Sequence, residues 1–194
     1  MSWSWVVTTP AASEPVSLAD MKEHLKVDIS DDDALITVQI VAARKWIEFY
    51  CNRSLPSQTL TAYFDMFPYY SAYMLIPQSP VASITSVKYI DTTGVEQTWD
   101  SSKYKIDTSH SPARLAPAYG ESWPSIRAEM SALYIEYAAG ESTVSADIVH
   151  ALKMMVGSMY IGRENDCPLQ TYQPSMNVKA LLAAHRLYYR GPWL

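Results

Sequence analysis

The sequence predicts an α+β fold: a small bundle of long helices, an antiparallel β insertion between the second and third of them, and a C-terminal tail helix. Three observations predict it. Apolar residues recur with a 3.6-residue period before Pro56 and again after Ser145. From Gln58 to Gly140 the chain is instead rich in Thr, Tyr, Val and Ile, and is cut by Pro68, Pro77, Pro80, Pro112, Pro117 and Pro124, the pattern of short strands with irregular joints. The two long helical stripes lie about ninety residues apart and must pack on each other, because either alone would leave its apolar face in water.

Taken in order, residues 1–16 hold two Trp and no helical period and read as an extended N-terminal arm. Ser17-Leu-Ala-Asp20 is a variant capping box, with Asp20 reaching back, and opens a short helix to about Lys26 along Leu18, Met21 and Leu25. Ser30 followed by Asp31, Asp32 and Asp33 is a second helix start, with carboxylates where the helix dipole favours them. Leu35, Ile36, Ile40, Ala43, Ile47 and Tyr50 carry that helix to about Asn52. Strands are predicted at Thr59–Asp65, Tyr73–Ile76, Ile84–Ile90, Val95–Trp99, Tyr104–Asp107, Arg114–Leu115 and Met130–Tyr137, and Asp91-Thr-Thr-Gly94 turns the third of these into the fourth. Ser145 caps a third helix with Ile148, Leu152, Met155, Val156, Met159 and Tyr160 on one side, and Gly162 stands where a left-handed C-terminal residue is expected. Ser175 opens the tail helix along Val178, Leu181, Leu182, His185 and Tyr189, stopped by Gly191-Pro192. The division that follows is an arm over 1–16, a helical core over 17–56 and 141–163, a β insertion over 57–140, and a linker with a C-terminal segment over 164–194.

Composition narrows the function. At 48% hydrophobic and 18% charged residues the 194-residue chain can bury a core, which excludes intrinsic disorder. A net charge of −5 with no basic run argues against a nucleic-acid-binding surface spread over the molecule. That charge is uneven: residues 1–150 carry −8 and residues 151–194 carry +3, so the tail can meet an acidic surface. No segment has the length of a signal peptide's apolar region or a membrane span, so secretion by that route and membrane insertion are disfavoured. Cys51 and Cys167 fit neither a C-x-x-C pair nor a zinc spacing and read as reduced thiols. The 14 Tyr and 6 Trp against 3 Phe are the signature of aromatic surface that a partner covers.

Chemistry is not announced. The Asp31–Asp33 cluster fails the EF-hand register, with Asp33 where Gly is needed and Gln39 where the bidentate Glu belongs. His24, His110, His150 and His185 never fall at i,i+4, and His150 and His185 read as packing or interface residues. Nucleophile elbow, P-loop and dinucleotide fingerprint are all missing. Trp123-Pro124 sits in an aromatic loop that either anchors to the sheet or forms a ligand platform. Neither a catalytic residue, a cofactor nor a metal is therefore assigned, and no enzyme is expected. The alternative is a monomeric sugar- or peptide-binding module on the β insertion.

Several segments carry a resemblance. Val16-Ser-Leu-Ala-Asp-Met-Lys-Glu-His-Leu-Lys-Val, Asp32-Asp-Ala-Leu-Ile and Ala42-Ala-Arg-Lys-Trp-Ile-Glu-Phe-Tyr resemble the opening of tailed-phage head-to-tail connector (adaptor or head-completion) proteins. Pro80-Val-Ala-Ser-Ile-Thr-Ser-Val-Lys-Tyr-Ile-Asp, Ser122-Trp-Pro and Ile135-Glu-Tyr-Ala-Ala-Gly resemble the larger, β-inserted branch of prophages and gene transfer agents. Val178-Lys-Ala-Leu-Leu-Ala-Ala-His-Arg is similar to that branch's C-terminal pattern, with Ala184 and His185 where Pro and Tyr are common.

The resemblance implies a structural protein of the virion neck, assembled in the host cytoplasm as a ring, usually of twelve copies, beneath the portal protein. The ring would extend the DNA channel without gripping DNA, and its other face would meet a stopper or tail-terminator protein, with no membrane partner. Segment 164–194 would reach the portal, with Leu181, Leu182, Arg186, Tyr188, Tyr189, Arg190 and Trp193 as anchors. Contacts between neighbouring copies are expected on the second and third helices, at Arg44, Lys45, Glu48, Lys153 and Met154.

Overall fold

The computed structural model describes residues 3–69, 71–162 and 176–188. Chain order is β1 (Trp3–Thr9), α1 (Leu18–Leu25), α2 (Asp33–Cys51), β2 (Gln58–Phe64), β3 (Met74–Leu75), β4 (Val81–Ile90), β5 (Glu96–Thr98), β6 (Tyr104–Asp107), β7 (Arg114–Pro117), β8 (Leu133–Ala139), α3 (Ala146–Ile161) and α4 (Met176–Ala183). This is the mixed α+β composition that the sequence predicts, with four helices among the described residues and antiparallel sheets. The described residues form two compact units: a β unit within 1–12, 52–141 and 187–194, and a helical unit within 13–51 and 142–186.

In the β unit the main sheet has the order β1-β2-β8-β4-β5. The expected hairpin is β4 with β5, where Lys88, Tyr89 and Ile90 face Thr98, Gln97 and Glu96, and Gly94 supplies the positive φ of the turn. β8 lies between β2 and β4, placing Leu60 beside Tyr137, Ala62 beside Ile135 and Phe64 beside Leu133 on one buried face. The N-terminal residues are extended, and the strand they form is tied to the sheet: β1 pairs with β2, Trp5 opposite Ala62 and Val7 opposite Leu60. Backbone donors and acceptors along the edge of β2 thereby find partners. A second, three-stranded sheet runs β3-β7-β6 and buries Leu115.

Part of the aromatic surplus is interior: Trp99 and Tyr137 are buried. Phe67 stacks on Trp123 with ring centres 5.0 Å apart and meets Trp99 at 5.5 Å, while Trp99 meets Tyr104 at 5.2 Å. Tyr137 is fully buried and its hydroxyl donates to the Pro77 carbonyl at 2.8 Å. A buried Tyr keeps its hydroxyl only with such a partner.

In the helical unit Ser17 caps α1 as expected, accepting from the Asp20 amide at 3.1 Å and donating to its carboxylate at 2.6 Å. α2 begins two residues later than Asp31, because the Asp33 amide already closes a turn on the Ser30 carbonyl at 3.1 Å. Ile36, Ile40, Ala43, Ile47 and Cys51 of α2 and Ile148, Ala151, Leu152, Met155 and Val156 of α3 are buried, and the two helices pack together. Each fully buried aliphatic side chain contributes about 2 kcal/mol, so this contact is what holds the helices. Gly162 has φ −93° and not the expected left-handed conformation, so α3 ends without that cap. α4 stops at Ala183 instead of reaching Tyr189: the chain turns where the His185 amide bonds the Leu182 carbonyl at 3.0 Å.

Candidate assembly surfaces

Arg44 and Glu48, expected on an exposed face, are buried in the helical unit. The Arg44 guanidinium donates from Nε to Glu14 at 2.6 Å and from Nη1 to Glu48 at 2.7 Å, with a further bond from Nη2 to Glu14 at 3.2 Å. Burial opposes its charge, but hydrogen bonds and Coulombic attraction from the two carboxylates outweigh that and raise its pKa above the ordinary value. Both side chains are thus engaged inside their own unit. Their neighbour Lys45 is exposed, and Lys153 and Met154 are half-buried on α3.

The tail candidates divide in the same way. Leu182 is fully buried in the helical unit, as is most of Val178, so Leu182 belongs to the chain's own core rather than to a partner's pocket. Leu181 is half-buried beside an open groove between α3 and α4 that His150, Met154, Asn177 and Ala180 also line. Arg186 lies 4.8 Å over the ring of Tyr50, which itself stacks on Trp46 at 5.0 Å. Tyr188 is 64% exposed. Tyr189, Arg190 and Trp193 lie outside the described residues, as does Cys167.

His185 hydrogen-bonds the carboxylate of Asp147 at the start of α3. That imidazole, with the Ser145 hydroxyl second, holds the Asp147 pKa down at about 2. A carboxylate depressed by folding contributes stability above its unfolded pKa of about 4 and loses it as pH falls through the folded value. Amide exchange in α4, relative to intrinsic rates, is therefore expected to quicken between about pH 4 and pH 2. Asp147→Asn should show the quicker exchange already at pH 5 and no further change; a wild-type profile in that variant would refute the contribution.

Elsewhere the residues weighed for chemistry have structural roles. Lys22 pairs with Asp33 at 2.6 Å, and the Tyr160 hydroxyl donates to Asp32 at 2.5 Å. Among the described residues no cluster of His, Cys, Asp and Glu could hold a metal ion, and no helix is long and apolar enough to cross a membrane. Trp123 anchors its loop, its indole N–H donating to the Ser71 carbonyl at 3.3 Å and its ring stacking on Phe67. Cys51 is a buried thiol whose Sγ lies 3.9 Å from the Leu182 carbonyl oxygen.

What sequence reasoning missed is the outer side of α2. Val38 is 66% and Phe49 79% exposed, both turned away from the buried stripe of the same helix. Apolar residues on the supposedly polar side of the period were the available signal.

The fold recurs in solved gene transfer agent particles. A chain of the virion of a native particle superposes with TM-score 0.77 at 19% identity, covering 95% of both chains. A chain from the neck of an empty particle, computed with C6 symmetry, gives 0.74 at 20% identity over 97% of this chain and 96% of that one. One from the neck of a native particle, computed with C12 symmetry, gives 0.71 at 21% over the same shares. No curated protein sequence matches the chain. At residues 15–119, more than half of its length, the chain matches the phage gp6-like head-tail connector proteins; it belongs to that family and is a structural virion protein, not an enzyme.

Proposed function

We propose that the protein forms a ring of twelve copies beneath the portal, joins capsid to tail and extends the DNA channel, with its far face meeting a stopper or tail-terminator protein. The observation that carries this reading is the connector-family match over residues 15–119, a stretch that includes α2, whose outer side leaves large apolar side chains in water. Copies in a cyclic ring touch two neighbours through two different surfaces, so a small subunit needs more coverable surface than a monomer does. The likeness to chains in necks computed with C6 and C12 symmetry supports the same arrangement. A net charge of −5 suits a channel through which DNA slides, since phosphate affinity comes from cations. On this reading the copies assemble in the host cytoplasm and reside in the virion neck.

The C-terminal segment within 164–194 is the portal-docking element, through Leu181, Arg186, Tyr188, Tyr189, Arg190 and Trp193. Truncation after Leu187 removes four of these while keeping the buried Val178 and Leu182, and an unchanged melting temperature is the control that the fold is kept. Co-sedimentation with purified portal rings is expected to fall at least tenfold. Undiminished binding would refute the docking assignment, and a wild-type chain that never joins portal rings by mass would refute the ring itself.

A further inference from the structure

The helical unit presents a largely apolar ridge on one side and, on the other, an open groove lined by both apolar and polar side chains. At about 100° per residue, Val38, Ala42, Lys45 and Phe49 fall on one line of α2, roughly opposite the buried line of Ile36, Ile40, Ala43 and Ile47. All four are exposed, and only Lys45 is charged. On α3 the same arithmetic sets His150 and Met154 opposite the buried Ile148, Leu152 and Met155. Because α2 and α3 pack through their buried lines, the outer line of α2 and the outer line of α3 face opposite ways. His150 and Met154, with Asn177, Ala180 and Leu181 of α4, line the groove, whose volume is about 490 Å³.

We infer that the α2 ridge of one copy seats in the α3–α4 groove of the next, with Phe49 as the inserted side chain. This rests on the ring reading and specifies its contact. Ridge and groove are on one unit, back to back, and every copy carries both. That is the geometry of a heterologous, head-to-tail contact, which closes into a ring when the rotation per copy divides the circle. A large aromatic laid against Met154, Ala180 and Leu181 is the kind of anchor that dominates such interfaces. A second copy supplies that aromatic at matching stoichiometry, which a single partner of another kind would not.

The test uses the full chain carrying Cys167→Ser, with Cys51 left in its buried place. Phe49→Cys and Met154→Cys are introduced together, the protein is assembled on portal rings and then oxidised. A ladder of covalent multimers is expected from the double variant, dimers from an equal mixture of the two single variants, and neither from a single variant alone. Rings of full mass without these cross-links would overturn the contact and leave the ring standing. Cross-linking of position 49 to the portal rather than to a copy would overturn it too. Failure of the unsubstituted chain to form rings would remove the ring reading and the contact with it. Phe49→Asp gives an independent readout: ring assembly should fall at least tenfold while the melting temperature of the free chain, in which Phe49 is exposed, stays unchanged.

Discussion

Replacing Gly140 by alanine is expected to cost the β unit more than about 3 kcal/mol, read as a large drop in melting temperature. Gly140 follows β8 directly and has φ +106°, a conformation that L side chains rarely adopt. A Cβ there would stand 2.1 Å from the Pro56 carbonyl oxygen and 2.9 Å from the Ser57 amide nitrogen. Both obstacles are backbone, so no rotamer change relieves them. The Gly140 amide also donates to the Pro80 carbonyl at 2.9 Å, which ties the end of β8 to the start of β4. Gly120 is the control. Its φ is +83° but nothing lies within 4 Å of a Cβ, so Gly120→Ala should cost only about 1 kcal/mol, the conformational penalty by itself. Equal losses at the two positions would show that close approach at Pro56 is not what demands glycine.

Substituting Arg44 by methionine is expected to destabilise the helical unit by about 3–5 kcal/mol at neutral pH. The methionine fills comparable space, so the loss comes from charge: Glu14 and Glu48, whose side chains are 28% and 11% exposed, would keep carboxylates without a cation. Arg44→Met with Glu48→Leu should recover part of that loss, because the more deeply buried charge goes with its partner. Lys45→Ala, one residue along and exposed, should change stability by no more than about 0.5 kcal/mol. If denaturant unfolding gave Arg44→Met and Lys45→Ala similar small effects, the buried pairs would be incidental. At temperatures where Arg44→Met stays folded, ring mass should be unaltered, since this side chain faces its own unit.

The pair also shows where sequence reading stops. Arg44 and Glu48 are four apart on a helix, a spacing that ordinarily marks a solvated ion pair. Glu14, thirty residues earlier in the chain, is the third member, and nothing local to α2 announces it. Leu182 was legible as an apolar position of the tail helix; that its partners are the chain's own core was not. Phe49 was the reverse, an apolar residue outside the predicted stripe that a strict accounting would have flagged as a surface needing cover. In the β unit the hairpin around Gly94 was readable because a turn and two alternating runs are contiguous. The seat of β8 between β2 and β4, and the pairing of Trp3–Thr9 with β2, join segments roughly fifty or more residues apart.

By itself the sequence determined the fold class, the cap at Ser17 and the turn at Gly94, most of the buried lines of α2 and α3 though not the exposure of Leu35, and the connector family. Each of these depends on neighbours within a turn of helix or a few residues of strand, or on patterns summed over many positions. Only the tertiary structure decided which aromatic rings are core and which are surface, which charges are consumed by internal pairs, and where α4 ends. Those outcomes are set by long-range packing: a side chain is interior or available according to what the rest of the chain brings against it. The aromatic surplus illustrates the division, for composition predicted covered surface, and the fold buries Trp99 and Tyr137 while leaving Tyr119 and Tyr188 exposed.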